Sequence, residues 1–190
     1  MKTTLRKTGC IYCVIAPTTQ ELARMFVRLQ EFYESPFKEI RGQYFTLNQF
    51  KSIYSKDRGG FTYYEDWAGF NVPGHVIIDF FTKFKDLSPR EKTLKKWLQA
   101  ELDANGTFYV VGFPRRQQSG IKEHEFAHAL FYTNPEYKKT MLRHGVKLAS
   151  SIKKRVFKKL KEMGYCGMVQ KDELQAYMAT SDAKYLKHWF

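Results

Sequence analysis

The spacing of apolar positions along the chain changes several times, and each change marks an element. Residues 10–16 (Cys-Ile-Tyr-Cys-Val-Ile-Ala) form a β-branched and aromatic run closed by Pro17, which predicts a strand. Pro17-Thr18-Thr19 then supplies a helix start with Thr18 or Thr19 as its cap. Leu22, Met25, Phe26, Leu29 and Phe32 follow at steps of three and four, the spacing of one buried helix face, until Ser35-Pro36. From 37 to 85 the chain is aromatic and broken by Arg41-Gly42, Asp57-Arg58-Gly59-Gly60 and Pro73-Gly74, which predicts short strands and loops. Ser88-Pro89-Arg90-Glu91 offers a cap, a first-turn proline and a first-turn acid, so Leu94, Trp97, Leu98 and Leu102 belong to a helix reaching Asp103. Asn105-Gly106 turns the chain into 107–113, a second apolar strand, and after a loop at 114–120 the pattern is helical, with breaks near Asn134-Pro135 and 164–167.

This order predicts an α+β fold: a small mixed sheet in the N-terminal half, residues 1–114, and a helical C-terminal half, residues 115–190. At 190 residues the chain has enough for one core and too few for two ordinary domains, so the halves are expected to be two subdomains of one domain around a shared cleft. The aromatic stretch 61–71 is expected to be core, with a ligand groove as its alternative. No apolar run reaches the roughly 18–20 residues of a membrane-spanning helix. The basic start followed by 10–16 mimics a secretion signal, but Pro17 arrives without a small-residue cleavage pattern. The cysteines Cys10, Cys13 and Cys166 cannot all pair, which fits a reducing compartment, the cytoplasm. Cys10-x-x-Cys13 has no second CxxC, and in a strand its two thiols would point to opposite faces.

Charge changes the picture of the partners. Lys and Arg number 32 against 19 acids, a formal charge of +13, which favours nucleic acid, acidic protein or an anionic membrane surface. The excess is concentrated: from Lys138 to Lys161 there are ten Lys and Arg and no acid. Lys153, Lys154, Arg155, Lys158, Lys159 and Lys161 alternate with Ile152, Val156, Phe157 and Leu160, as on an amphipathic helix with a solvated basic face that can also bind an anionic partner.

The chemistry enters at Glu123-His124-Glu125-Phe126-Ala127-His128. His124-Glu125-x-x-His128 is an HExxH pattern, and on a helix positions i and i+4 stand one above the other, so both imidazoles reach one metal ion. Glu125, about 100° round the helix, can take a proton from a metal-bound water. With five His and twelve Glu in the chain, random placement yields this pattern about once in a hundred such sequences. A catalytic zinc needs a third protein ligand and an open position. The extended HExxHxxGxxH pattern fails at Phe131 and Asn134, so the third ligand must come from later in the chain. Glu173, opening a helix after the 164–167 turn with Ala176 three residues on, is the candidate; Asp172 is its nearest competitor, with Glu136 and Asp182 behind.

HExxH followed by a Glu on a second helix, with a small residue at i+3 from that Glu, resembles the gluzincin branch of the zinc metallopeptidases. The resemblance covers about 107–180. It implies a zincin-like fold and a peptidase in which His124, His128 and Glu173 hold Zn2+ and Glu125 is the catalytic base. It also implies an oxyanion donor, usually Tyr or His; Tyr177, at i+4 from Glu173, is the first candidate, with His144 and Tyr132 as alternatives. Finally, it implies that the strand at 107–113 is a sheet edge along which a peptide or protein substrate, an acidic one being suited to the charge, binds by strand addition. The rival function is a basic binding module for nucleic acid or acidic protein, in which the HExxH helix is structural or inactive.

Overall fold

Both apolar runs become the centre of one small sheet. The computed structural model describes residues 2–56, 58–116, 120–163, 165, 167 and 169–181, which excludes Cys166 and Asp182. Its elements run β1 (Thr4–Thr8), β2 (Ile11–Ala16), α1 (Thr19–Glu34), α2 (Leu47–Ser55), α3 (Tyr63–Asp66), β3 (Phe70–Pro73), α4 (Gly74–Lys83), α5 (Pro89–Trp97), α6 (Gln99–Ala104), β4 (Tyr109–Pro114), α7 (Ile121–Thr133), α8 (Pro135–Lys147), α9 (Ser150–Glu162) and α10 (Gln170–Thr180). The fold is mixed α+β, mostly helical, with one four-stranded sheet in the order β1-β2-β4-β3. β2 and β4 are parallel, whereas β1 on β2 and β3 on β4 are antiparallel.

A parallel pair covered on both faces reads as a continuous apolar run, because alternate side chains enter two different cores. Tyr12, Val14, Ala16 and Val110 join the larger core with α1, while Ile11, Cys13, Tyr109, Val111 and Phe113 pack with Ala129 and Phe126 of α7. Thr18 caps α1 by accepting from the Glu21 N–H. Its predicted face, Leu22, Met25, Phe26, Leu29 and Phe32, is buried. Gly112 lets α1 close on β4, since a Cβ there would lie 2.9 Å from Phe26 and 3.0 Å from Leu22. Phe26 stacks 5.4 Å from Phe70 of β3, and burying one such ring contributes about 1.5–3 kcal/mol.

Several expectations are corrected. The strand at 107–113, found as β4, is not a sheet edge: β2 occupies one side and β3 the other, so its backbone has no room for a peptide. The edge beyond it is β3. The region 37–85 holds three helices and one strand rather than strands and loops; Thr46 and Gln49 form a reciprocal capping box that starts α2, and Leu47, Phe50, Ile53 and Tyr54 reach the core at helical spacing. Pro73-Gly74 is not a turn between strands but the joint where β3 passes into α4, with the Gly74 N–H donating to Phe108 O at 2.8 Å. The helix expected to reach Asp103 is divided at Leu98 into α5 and α6. Cys10 precedes β2 and borders the same apolar cluster as Cys13, so the two do not sit on opposite faces; both thiols are free. The basic start is β1, and a further break at Leu148-Ala149 divides α8 from α9. No described helix is long and apolar enough to cross a membrane.

Candidate metal centre

The helix α7 lies against β4, and α10 lies against α7, so the two helices that carry the predicted ligands are direct neighbours. Their approach is permitted by small residues: Ala127 and Ala176 are buried. It is tied by Gln175, which donates from Nε2 to Ala127 O at 3.3 Å and to Asp172 Oδ1 at 2.8 Å while accepting from the Tyr137 hydroxyl at 3.1 Å. Both carboxamide groups of this buried side chain are therefore satisfied, and α10 is held in one register on α7.

That register converges His124, His128 and Glu173. The two Nε2 atoms are 3.2 Å apart. Glu173 Oε2 is 3.6 Å from His124 Nε2 and Oε1 is 3.5 Å from His128 Nε2. Ligand atoms about 2.0–2.1 Å from a tetrahedral zinc stand about 3.3 Å from one another; the Nε2 pair meets that spacing, each Nε2 has its own Glu173 oxygen within 3.6 Å, and one ligand atom from each of the three residues lies within 4.8 Å of the others. Chemistry agrees with geometry. The buried Glu173 Oε2 has no hydrogen-bond partner, and a buried carboxylate oxygen left that way is costly unless a cation meets it. His124 Nδ1 faces Thr180 Oγ1 at 3.4 Å, and His128 Nδ1 lies 3.0 Å from Asp172 Oδ1. With protons on both Nδ1 atoms, both Nε2 lone pairs point at the same space. Burial opposes charge on His128, but the carboxylates of Glu173, Asp172 and Glu125 outweigh it and raise its pKa from 6.5 to about 10. In the absence of a metal, a proton is the cation this cluster takes.

Glu125 is set apart from the three. It is buried, and its Oε2 accepts from Asn71 Nδ2 at 2.9 Å; Asn71 Oδ1 in turn accepts from the Tyr109 hydroxyl at 2.7 Å. The alternation of β3 sends Phe70 and Val72 into the α1 core and leaves Asn71 facing α7. Gly69 completes the cradle: a Cβ there would lie 2.8 Å from Glu125 Cδ and collide with Oε1. Burial raises the Glu125 pKa, against the pull of His128, His124 and the Asn71 amide. This is the direction a general base near neutral pH requires.

A cavity of about 520 Å³ opens over these groups, walled by Trp67, Gly69, His124, Glu125, Tyr165 and Tyr177. In the stretch 61–71, expected to be core, Tyr63, Tyr64 and Phe70 are core, while Trp67 to Gly69 line the cavity. The Tyr177 ring lies 4.8 Å from that of His124. The other two donor candidates are placed elsewhere: Tyr132 stacks on His75 and hydrogen-bonds its Nδ1 at 2.8 Å, and His144 stands exposed in the last turn of α8. Among the acids, Asp172 faces the far nitrogen of His128 rather than the Nε2 pair, and Glu136 is exposed in the first turn of α8. Tyr165 was missed by sequence reasoning, and Gly69 and Asn71 were read only as part of the stretch 61–71, without a role at Glu125; sheet register and helix packing bring them in. Compared with protein-family models, with curated proteins and with solved structures, the chain matches none.

Proposed function

We propose that this protein is a zinc-dependent peptidase of gluzincin type with a zincin-like fold. The observation that carries the reading is the convergence of His124, His128 and Glu173, with one ligand atom from each within 4.8 Å of the others and a buried Glu173 oxygen that no hydrogen bond reaches, beside a separately held carboxylate at Glu125. His124, His128 and Glu173 would hold the ion, which when bound supplies a polarised carbonyl and an acidified water.

The chain's own residues account for the rest. Glu125 takes the proton of the attacking water and returns it to the leaving nitrogen. Asn71 and Tyr109 hold that carboxylate in one rotamer, and Gly69 gives it the space. Tyr177, on the cavity wall beside His124, carries the hydroxyl suited to the developing oxyanion, with Tyr165 as the second phenol on the same wall. With β4 enclosed, the free side of β3 and the backbone of Trp67 to Gly69 are where an extended peptide pairs.

The test is elemental analysis of protein purified without a His tag, for wild type, Glu125→Gln and Glu173→Ala, together with cleavage of a mixed peptide library. Wild type and Glu125→Gln are expected to hold about one zinc per chain. Glu173→Ala should lose it, and only wild type should cleave. Gly69→Ala should keep the zinc and lower cleavage. Wild-type protein that neither retains nor takes up zinc sinks the reading.

A further inference from the structure

The C-terminal helices carry a second feature that the metal site does not use. Among the described residues, four large apolar side chains are notably exposed, Tyr44, Tyr132, Leu142 and Val146, and two of them stand one turn apart on α8. Val146 is 75% exposed and Leu142 is 43% exposed. They form a ridge between two depressions. On one side lies a shallow trough lined by Pro135, Lys138, Lys139, Arg143 and Lys147. On the other lies a deeper apolar cavity of about 420 Å³, walled by Met141, Phe157, Leu174 and Met178 with Lys153 and Lys171 at its margin. Lys153 donates from Nζ to Val146 O at 3.2 Å, which keeps its charge beside the ridge. No acid lines either depression.

An aliphatic ridge standing proud of its helix, flanked on both sides by cations, has the layout of a helix that lies in the headgroup layer of a membrane. The apolar residues enter the acyl boundary while Lys and Arg remain among the headgroups. We propose that α8, with the margin supplied by α9 and α10, is a docking face for an anionic lipid membrane. The charge pattern favours this occupant over the others. A second copy of the chain would oppose one cationic face to another. Single-stranded nucleic acid is held by aromatic stacking platforms, and the ridge offers aliphatic tips only. An acidic helical peptide would seat in a groove, whereas Val146 protrudes. Such a face would hold the cavity over His124 and Glu125 near substrates at a membrane surface, but the docking stands or falls independently of the zinc reading.

Vesicle co-sedimentation tests it with the full chain, using neutral phosphatidylcholine vesicles and vesicles containing about a third phosphatidylserine, at near-physiological salt. Wild type is expected to pellet with the anionic vesicles and to remain soluble with the neutral ones. Val146→Glu and Leu142→Glu, both on exposed positions, should lower binding tenfold or more. Lys139→Gln and Lys147→Gln should each lower it about fivefold, the effect of one cation near an anionic surface. Lys92→Gln with Lys96→Gln on α5, exposed and away from the ridge, should leave binding unchanged. Val146→Trp should give an emission blue shift with anionic vesicles alone. Absence of wild-type binding overturns the proposal. So does binding that falls equally with the α5 pair, which makes net charge the cause, or ridge-dependent binding to polyglutamate or RNA with none to vesicles. Unchanged circular dichroism separates loss of docking from loss of fold.

Discussion

Two clusters of buried charge among the described residues are built on opposite plans. In the first, Arg28 of α1 meets Glu91 of α5 with Nε–Oε1 at 2.8 Å and Nη2–Oε2 at 2.6 Å, and also donates to Asp86 Oδ2 and Asp86 O at 3.0 Å. Glu91 Oε2 accepts in addition from the Ser88 N–H, which closes the cap of α5. Every N–H that Arg28 aims into this cluster meets an oxygen of Glu91 or Asp86, and the buried pair Arg28–Glu91 balances one charge with one. In the second, three carboxyl groups, Glu173, Asp172 and Glu125, surround two imidazoles, and a Glu173 oxygen has no hydrogen-bond partner. A cluster that completes itself is a brace between helices. One left with surplus negative charge is, on the function proposed above, a receptor for a cation.

Breaking the brace gives the largest effect on stability. Arg28→Met strands Glu91 in the core and should cost about 3–5 kcal/mol by denaturant unfolding, with zinc content and cleavage per folded molecule unchanged. Loss of zinc from this variant would mean that the two clusters are coupled. The receptor answers to metal instead. Zinc at a hundredfold excess over its Kd should raise wild-type stability by about 2.7 kcal/mol and Glu173→Ala by none. The sign with pH follows from His128. Its raised pKa lends the metal-free fold stability that is complete below 6.5 and lost as pH rises toward about 10. Zinc must displace that proton, so its apparent affinity should climb about tenfold per pH unit across the same window. Competition with a chromophoric chelator measures it, and a flat profile would remove His128 from the ligand set. The smallest effect sharpens the contrast from α1. Burial pushes Glu31 up to about 7, against hydrogen bonds from Ser35 and Tyr63. The fold therefore loses stability as pH rises from 4.5 to about 7, so Glu31→Gln should stabilise by about 1 kcal/mol at pH 8.5 and by nothing at pH 4, in parallel thermal melts.

What could be read from the residues differs sharply between the parts of the site. His124, Glu125 and His128 lie within five positions on one helix, and helical spacing alone places the two imidazoles together. Glu173 was legible as a nomination, but Asp172 beside it carries the same chemistry. The choice was made by the register of α10 on α7, through Ala127, Ala176 and Gln175. Asn71 and Gly69 fell within the stretch 61–71, but nothing local tied them to Glu125; they face it because β3 pairs with β4 in the register Asn71↔Val111. The region 37–85 misled because its aromatic residues obscure the helical period, while the capping box at Thr46 and Gln49 was the signal that could have revealed α2.

By itself the sequence determined the local terms: two apolar runs that read as strands, a cap at Thr18 or Thr19 and another at Ser88, the i, i+4 histidines, and a basic stretch with no acid. These follow from steric preference, hydrogen-bond geometry and charge, which act over a few residues. Tertiary structure alone decided that β4 is enclosed and β3 lies at the edge, that Glu173 rather than Asp172 faces the Nε2 pair, that Asn71 holds Glu125, and that Leu142 and Val146 remain in solvent. Each depends on which distant surfaces exclude water from one another, and that is settled only when the whole core packs.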